Sequence, residues 1–147
     1  MAPIISIDQE GGRVARLDGS NGFREWLSAA ELAHVGMSDS DLHDYYLQRA
    51  RELATVGISL NFGPVLDLNV NSANPIIGAL DRSYSADPSV VTRMATQFVL
   101  AHRDAGVKTC LKHFPGHGSS TSDSHLKSVD ITTNWSEIEL TPFQQMI

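Results

Sequence analysis

The sequence predicts an α/β fold in which parallel strands feed one common face and helices pack outside them. Three observations carry this. Short apolar runs alternate with segments of helical periodicity, each run empties into a polar loop containing Gly or Pro, and each helical segment carries its own start and stop residues.

The first strand is Ile4-Ile5-Ser6-Ile7, leading into Asp8-Gln9-Glu10-Gly11-Gly12. Ser28-Ala29-Ala30-Glu31 then reads as a capping box opening a short helix that ends near Gly36. Asp39 or Ser40 caps a longer helix through Leu42, Tyr46, Leu53 and Val56, stopped by Gly57. A second strand, Ile58 to Phe62, runs into Gly63-Pro64 and an Asn-rich loop around Asp67 to Asn74. Asp87-Pro88 is an N-cap followed by Pro at the first helical position, and that helix runs through Val91, Ala95, Phe98 and Leu100 to Gly106. The third strand is Val107 to Leu111, with a candidate fourth at Val129-Asp130-Ile131. Ser136 with Glu139, and Thr141-Pro142, mark further helix starts.

A doubly wound nucleotide-binding sheet needs a G-x-G-x-x-G turn opening a helix after its first strand; Glu10-Gly11-Gly12-Arg13 lacks that spacing. A (β/α)8 (TIM) barrel instead sends every strand's C-terminal end to one face, and all three strand ends here carry polar functional groups. A full barrel takes about 250 residues. The 147 residues are therefore expected to form one domain, a partial barrel truncated at both ends.

The composition is globular, 41% hydrophobic and 19% charged, with a net charge of −6 and scattered basic residues. That argues against a nucleic-acid partner, which usually needs a Lys/Arg-rich face, and a small neutral or polar substrate fits better. No apolar stretch is long enough to span a membrane. Met1-Ala2-Pro3-Ile4 has neither the basic region nor the apolar core of a leader, which favours the cytoplasm. Cys110 is the only cysteine and is expected to be a buried structural thiol.

Chemistry concentrates in Lys112-His113-Phe114-Pro115-Gly116-His117-Gly118 and the following Asp123-Ser124-His125. A carboxylate two residues from an imidazole can fix its tautomer and raise the basicity of its outward nitrogen, giving a proton donor and acceptor in one dyad. Lys112 and His113 both reach a site only if the strand ends there, since adjacent strand residues face opposite ways; as donors they suit sugar hydroxyls or an anion. Asp8 past the first strand suits a pair of hydroxyls, the Gly11-Gly12 pair would let backbone approach a ligand, and an Asp8–Arg16 salt bridge across the turn is the competing reading. Arg82, in Leu80-Asp81-Arg82-Ser83-Tyr84, offers a planar fork for oxygens. Asp67 and Asn69, Asn71 and Asn74 read as Asx-turn formers holding their loop. His113, His117, Asp123 and His125 could alternatively ligate a metal in a hydrolase, but Pro115-Gly116 breaks any helix that would align the first two. A non-catalytic sugar-binding module is the third reading.

Taken together, Ile7-Asp8-Gln9-Glu10-Gly11-Gly12-Arg13-Val14, Asn61-Phe62-Gly63-Pro64-Val65-Leu66-Asp67, Arg82-Ser83-Tyr84 and the Lys112–His125 block resemble glycoside hydrolase family 3. Within it they are similar to the bacterial β-N-acetylhexosaminidase (β-N-acetylglucosaminidase) branch, over essentially the whole chain. The resemblance implies the N-terminal part of a catalytic (β/α)8 barrel that removes terminal β-linked N-acetylglucosamine with retention, in peptidoglycan turnover. It implies His125 as acid/base with Asp123 as its partner, and Asp8, Arg16, Arg82, Lys112 and His113 as sugar-gripping residues, with no cofactor and no metal. Ser119-Ser120 stand where many relatives carry Asp-Thr. The family's nucleophilic aspartate lies in a later segment, so it is expected beyond Ile147, and the isolated segment is expected to be inactive.

Overall fold

The computed structural model describes residues 3–123, 126 and 128–147. Three strands, β1 (Ser6–Ile7), β2 (Leu60–Asn61) and β3 (Lys108–Thr109), form a wholly parallel sheet in the order β1-β2-β3. The register pairs Ser6 with Leu60 and Ile7 with Asn61, then Leu60 with Lys108 and Asn61 with Thr109. An isolated parallel bridge, Val65 to Lys112, continues the β2–β3 pairing past the strand ends. The strands are shorter than the apolar runs that announce them. Ile4 and Ile5 are 69% and 47% exposed, because β1 is a sheet edge. Val129-Asp130-Ile131 forms no strand.

The helices are α1 (Ala29–Val35), α2 (Asp39–Thr55), α3 (Pro88–Asp104) and α4 (Thr141–Met146). Ser28 caps α1 as the sequence predicts: its hydroxyl accepts from Glu31 N, and the Glu31 carboxylate accepts from Ser28 N. For α2 the cap is Ser38, one residue before the expected Asp39, because the Ser38 hydroxyl accepts from Asp41 N. Asp87 caps α3, with Pro88 opening it. Ser136 and Glu139 form their capping box around a short 3-10 turn, Glu137–Leu140, that leads into α4.

Helix α2 buries Leu42, Tyr46, Ala50 and Leu53, a spacing of three to four residues that makes one apolar stripe. It lies against α3, which buries Val91, Met94, Ala95, Phe98 and Ala101. Trp26, Leu66 and Leu68 complete the core. Fully burying side chains of this size stabilises by roughly 1.5–3 kcal/mol each before entropy is counted. The core lies behind the loops that leave the strand ends, and holds their bases still.

The edges of β1 and β3 carry unpaired backbone groups beside exposed Ile4 and Ile5. The 147-residue chain on its own should therefore self-associate. Sedimentation velocity should show mass rising with concentration; a monomer across the whole range would contradict this.

Candidate active site

A cleft of about 510 Å³ opens at the C-terminal ends of the three strands, lined by Asp8, Glu10, Arg16, Arg82, Lys112, His113, His117 and Asp123 with Val14, Phe62, Ile76, Leu80 and Cys110. Six of the seven residues singled out from the sequence thus converge on one mouth from four stretches of chain. The seventh, His125, lies outside the described residues.

Glu10 is the charge hub. Its carboxylate accepts two hydrogen bonds from Arg82, from Nε and Nη2, each 2.8 Å long. It also meets Lys112 Nζ at 2.6 Å. Lys112 Nζ further donates to Asp8 Oδ1 at 2.8 Å. Asp8 therefore pairs with Lys112 and not with Arg16, contrary to the salt bridge considered from sequence. Arg82 completes its fork by donating Nη1 to the Ile76 carbonyl at 2.7 Å. Burial works against the Arg82 charge, but the hydrogen bond and charge of Glu10, with Asp67 and Asp8 farther away, more than offset it and hold the guanidinium above its ordinary range.

Each residue of Arg82-Ser83-Tyr84 has its own anchor. The Ser83 hydroxyl donates to the Asp67 carbonyl at 2.6 Å. The Tyr84 hydroxyl lies 2.7 Å from that of Tyr46 on α2, and burial raises both phenols above their usual range. Arg82 is thereby fixed to a helix in the core.

Lys112 and His113 both line the cleft because β3 ends at Thr109, as expected; the bond joining them is cis. His113 Nδ1 meets Asp67 Oδ2 at 2.5 Å, and its Nε2 lies 3.3 Å from Arg82 Nη2. Asp67 is wholly buried, and its Oδ1 accepts from the His113 and His117 amides at 3.3 and 2.7 Å. Asp67 thus lies behind the cleft and holds two residues of the histidine loop, beyond the loop-forming part its Asn neighbours suggest. Asn71 and Asn74 do form side-chain turns, accepting from Ala73 N and from Ile76 N and Ile77 N. They also tie their loop to the histidine loop, donating to the carbonyls of Ser120, His117 and Gly118. Gly118 makes that seam possible: a Cβ there would lie 1.7 Å from the Leu68 carbonyl oxygen.

Beneath Asp8 runs a second network. Asn61 Oδ1 accepts from Gln9 N at 3.0 Å, and Asn61 Nδ2 donates to Gln9 O at 2.9 Å. The wholly buried Gln9 side chain accepts from Arg16 N and Leu17 N and donates to Leu17 O, which orients the Arg16 turn. Arg16 itself is exposed at the rim of the cleft. Gly11 and Gly12 do not face the cleft. They pack against the 26–28 segment, where a Cβ on Gly11, at φ 112°, would lie 2.2 Å from Leu27 O.

Cys110 is exposed within the cleft, not buried, because β3 is an edge strand. The Pro115-Gly116 turn, closed by Gly116 N donating to His113 O at 2.8 Å, excludes a helix but still brings the His113 and His117 rings within 6.2 Å. Among the described residues no group of three or more His, Cys, Asp or Glu could hold a metal ion. Among them too, no helix is long and apolar enough to cross a membrane.

Cations, carboxylates and imidazoles gathered at the tips of parallel strands define an α/β protein with a polar cleft at the C-terminal face of its sheet, the face where such folds keep their ligand sites. The family model described as the glycosyl hydrolase family 3 N terminal domain matches residues 2–147. A beta-hexosaminidase of Tolumonas auensis is 41% identical over 148 residues, covering 98% of this chain and 42% of that protein. The crystal structure of a beta-N-acetylhexosaminidase from Beutenbergia cavernae superposes with a TM-score of 0.88 at 32% identity, covering 97% of this chain and 43% of that one. NagZ from Neisseria gonorrhoeae, solved with N-trifluoroacetyl-D-glucosamine, gives a TM-score of 0.84 at 35% identity, with 97% and 43% coverage. The chain belongs to glycosyl hydrolase family 3. It spans less than half the length of these relatives, and its three parallel strands and outer helices make a partial (β/α)8 barrel.

Proposed function

We propose that the protein hydrolyses terminal β-linked N-acetylglucosamine from small glycans, including peptidoglycan fragments, by a retaining mechanism. The observation that carries this is the convergence of Asp8, Arg16, Arg82, Lys112, His113 and Asp123 on one cleft. The complex of the Neisseria gonorrhoeae protein with a glucosamine derivative supports the choice of sugar.

In this reading Asp8, half-exposed and held by Lys112, accepts from a pair of sugar hydroxyls, while the free donor positions of Lys112, Arg82 and Arg16 supply the matching hydrogen bonds. His125, partnered by Asp123, gives its proton to the glycosidic oxygen as the bond from C1 to that oxygen breaks and a carboxylate attacks C1. In the second step His125 takes a proton from the water that displaces the carboxylate, so sugar and enzyme are both restored. The attacking carboxylate is the family's later aspartate, which the resemblance places past Ile147, and Asp8, Glu10 and Asp67 keep their roles in binding and positioning.

The test is turnover of a GlcNAc-containing disaccharide by the full-length protein. His125→Ala should lower kcat by about 10²–10⁴-fold, the usual worth of a positioned acid/base group. The loss should shrink on p-nitrophenyl β-N-acetylglucosaminide, whose leaving group needs little protonation. Undiminished disaccharide turnover by His125→Ala would remove the dyad from the mechanism.

A further inference from the structure

We infer that Asp67 is a positioning residue that fixes His113 as the Nδ1–H tautomer, so that His113 presents Nε2 to the ligand as a hydrogen-bond acceptor. This deepens the sugar-site reading above and rests on it for the identity of the ligand.

The argument begins with what each neighbour can do. Arg82 has only donors, so the nitrogen facing its Nη2 at 3.3 Å, His113 Nε2, must be the acceptor. The proton then sits on Nδ1, where Asp67 Oδ2 receives it at 2.5 Å. A doubly protonated ring would set an N–H against the guanidinium. The 3.3 Å contact is long for a charge-assisted bond, and the His113 side chain is 34% exposed, so a ligand hydroxyl can take over the single lone pair of Nε2 from Arg82. The sequence alone suggests that His113 donates; its two partners make it accept.

Asp67 is suited to hold this state. It is wholly buried between Leu66 and Leu68, themselves wholly buried. Its segment is pinned to the start of the histidine loop by Leu66 N donating to Lys112 O at 2.6 Å, and to the arginine loop through Ser83. Oδ1 meanwhile takes the amides of His113 and His117, so one carboxylate grips both ends of the turn that closes toward Asp123.

Asp67→Asn exposes the dependence. A carboxamide has one oxygen. If that oxygen keeps the two amides, its NH2 faces His113 Nδ1, which must give up its proton; Nε2 then becomes N–H and opposes Arg82. Long-range ¹H–¹⁵N correlation spectra of the full-length protein should show His113 as Nδ1–H in the unsubstituted form and as Nε2–H in Asp67→Asn. Affinity for N-acetylglucosamine, measured by calorimetry, should fall about ten- to hundredfold in Asp67→Asn, as expected when a buried partner is left unsatisfied. On a His113→Ala background the same substitution should cost less than about twofold.

An Nε2–H ring in the unsubstituted protein overturns the inference, and needs no variant to fold. So does an equal loss of affinity on both backgrounds, which would make Asp67 a purely structural group. A protein that binds no N-acetylglucosamine sinks the sugar reading instead, while the spectra still decide the tautomer.

Discussion

Glu10→Ala should destabilise the chain by about 3–5 kcal/mol, the typical cost of removing one partner from a buried ion pair. Glu10 and Arg82 side chains are only 7% and 9% exposed, and Lys112 13%. With Glu10 gone, Arg82 keeps only the Ile76 carbonyl and the His113 ring, neither of which neutralises its charge. Lys112 keeps Asp8 alone. Two cations that each bonded the same carboxylate would then repel each other across the base of the cleft. Urea unfolding should register the loss, and on the function proposed above N-acetylglucosamine binding should fall with it. Glu10→Gln should lie between, since the amide keeps one acceptor for the Arg82 fork but turns its NH2 toward a donor. A Glu10→Ala midpoint within about 1 kcal/mol of the unsubstituted chain would show that Arg82 finds solvent easily and that Glu10 is no hub.

Glu10 was within reach of the sequence, and the reason it is easily passed over is instructive. It stands two residues after Asp8, past the strand end, so the same parity that sends Asp8 to the mouth sends Glu10 there too. The eye goes to Asp8 and to the glycines that follow; yet the glycines serve chain packing and the glutamate holds the site. Asp67 carried a different signal, a carboxylate between Leu66 and Leu68, which is the pattern of a buried charge rather than of a solvated turn. What no spacing shows is the partner. That Asp67 meets His113, forty-six residues on, depends on β2 and β3 lying side by side. Helix starts were legible to within a residue because capping is local chemistry. Strand ends were less so: even β2, paired on both sides, is regular over only Leu60–Asn61, so the length of an apolar run does not set how far pairing extends. The Cys110 exposure follows from β3 lying at the sheet edge.

The second large effect is acid instability set by His102. On α3 it continues the stripe of Val91, Ala95 and Phe98, a core position that the sequence gives to an imidazole. The ring is wholly buried, stacked on Phe98 at 3.9 Å and flanked by Trp26 and Tyr46. Its Nδ1 donates to the Phe98 carbonyl at 2.8 Å, and its Nε2 accepts from Asn61 Nδ2 at 3.1 Å. Protonation would turn that acceptor into a donor facing an amide that also donates to Gln9. Burial pushes the imidazole down from 6.5 to about 4, the Phe98 carbonyl opposing it only in part. The folded pKa is thus lower than the unfolded one, so the unfolded chain binds the proton first and stability falls as pH falls. The contribution is fully present above about pH 6.5, drops by about 2 kcal/mol at pH 5 and by about 3 kcal/mol at pH 4, and flattens below that. Since Asn61 carries the network through Gln9 to the Arg16 turn, local loosening there should accompany it. Urea midpoints of unsubstituted protein and His102→Gln, taken at pH 7 and pH 5, separate this from general carboxylate titration. The unsubstituted protein should lose more stability than the variant between the two, by about 2 kcal/mol. Equal losses would mean that the ring is already protonated in the fold, and that the Asn61 amide does not hold it neutral.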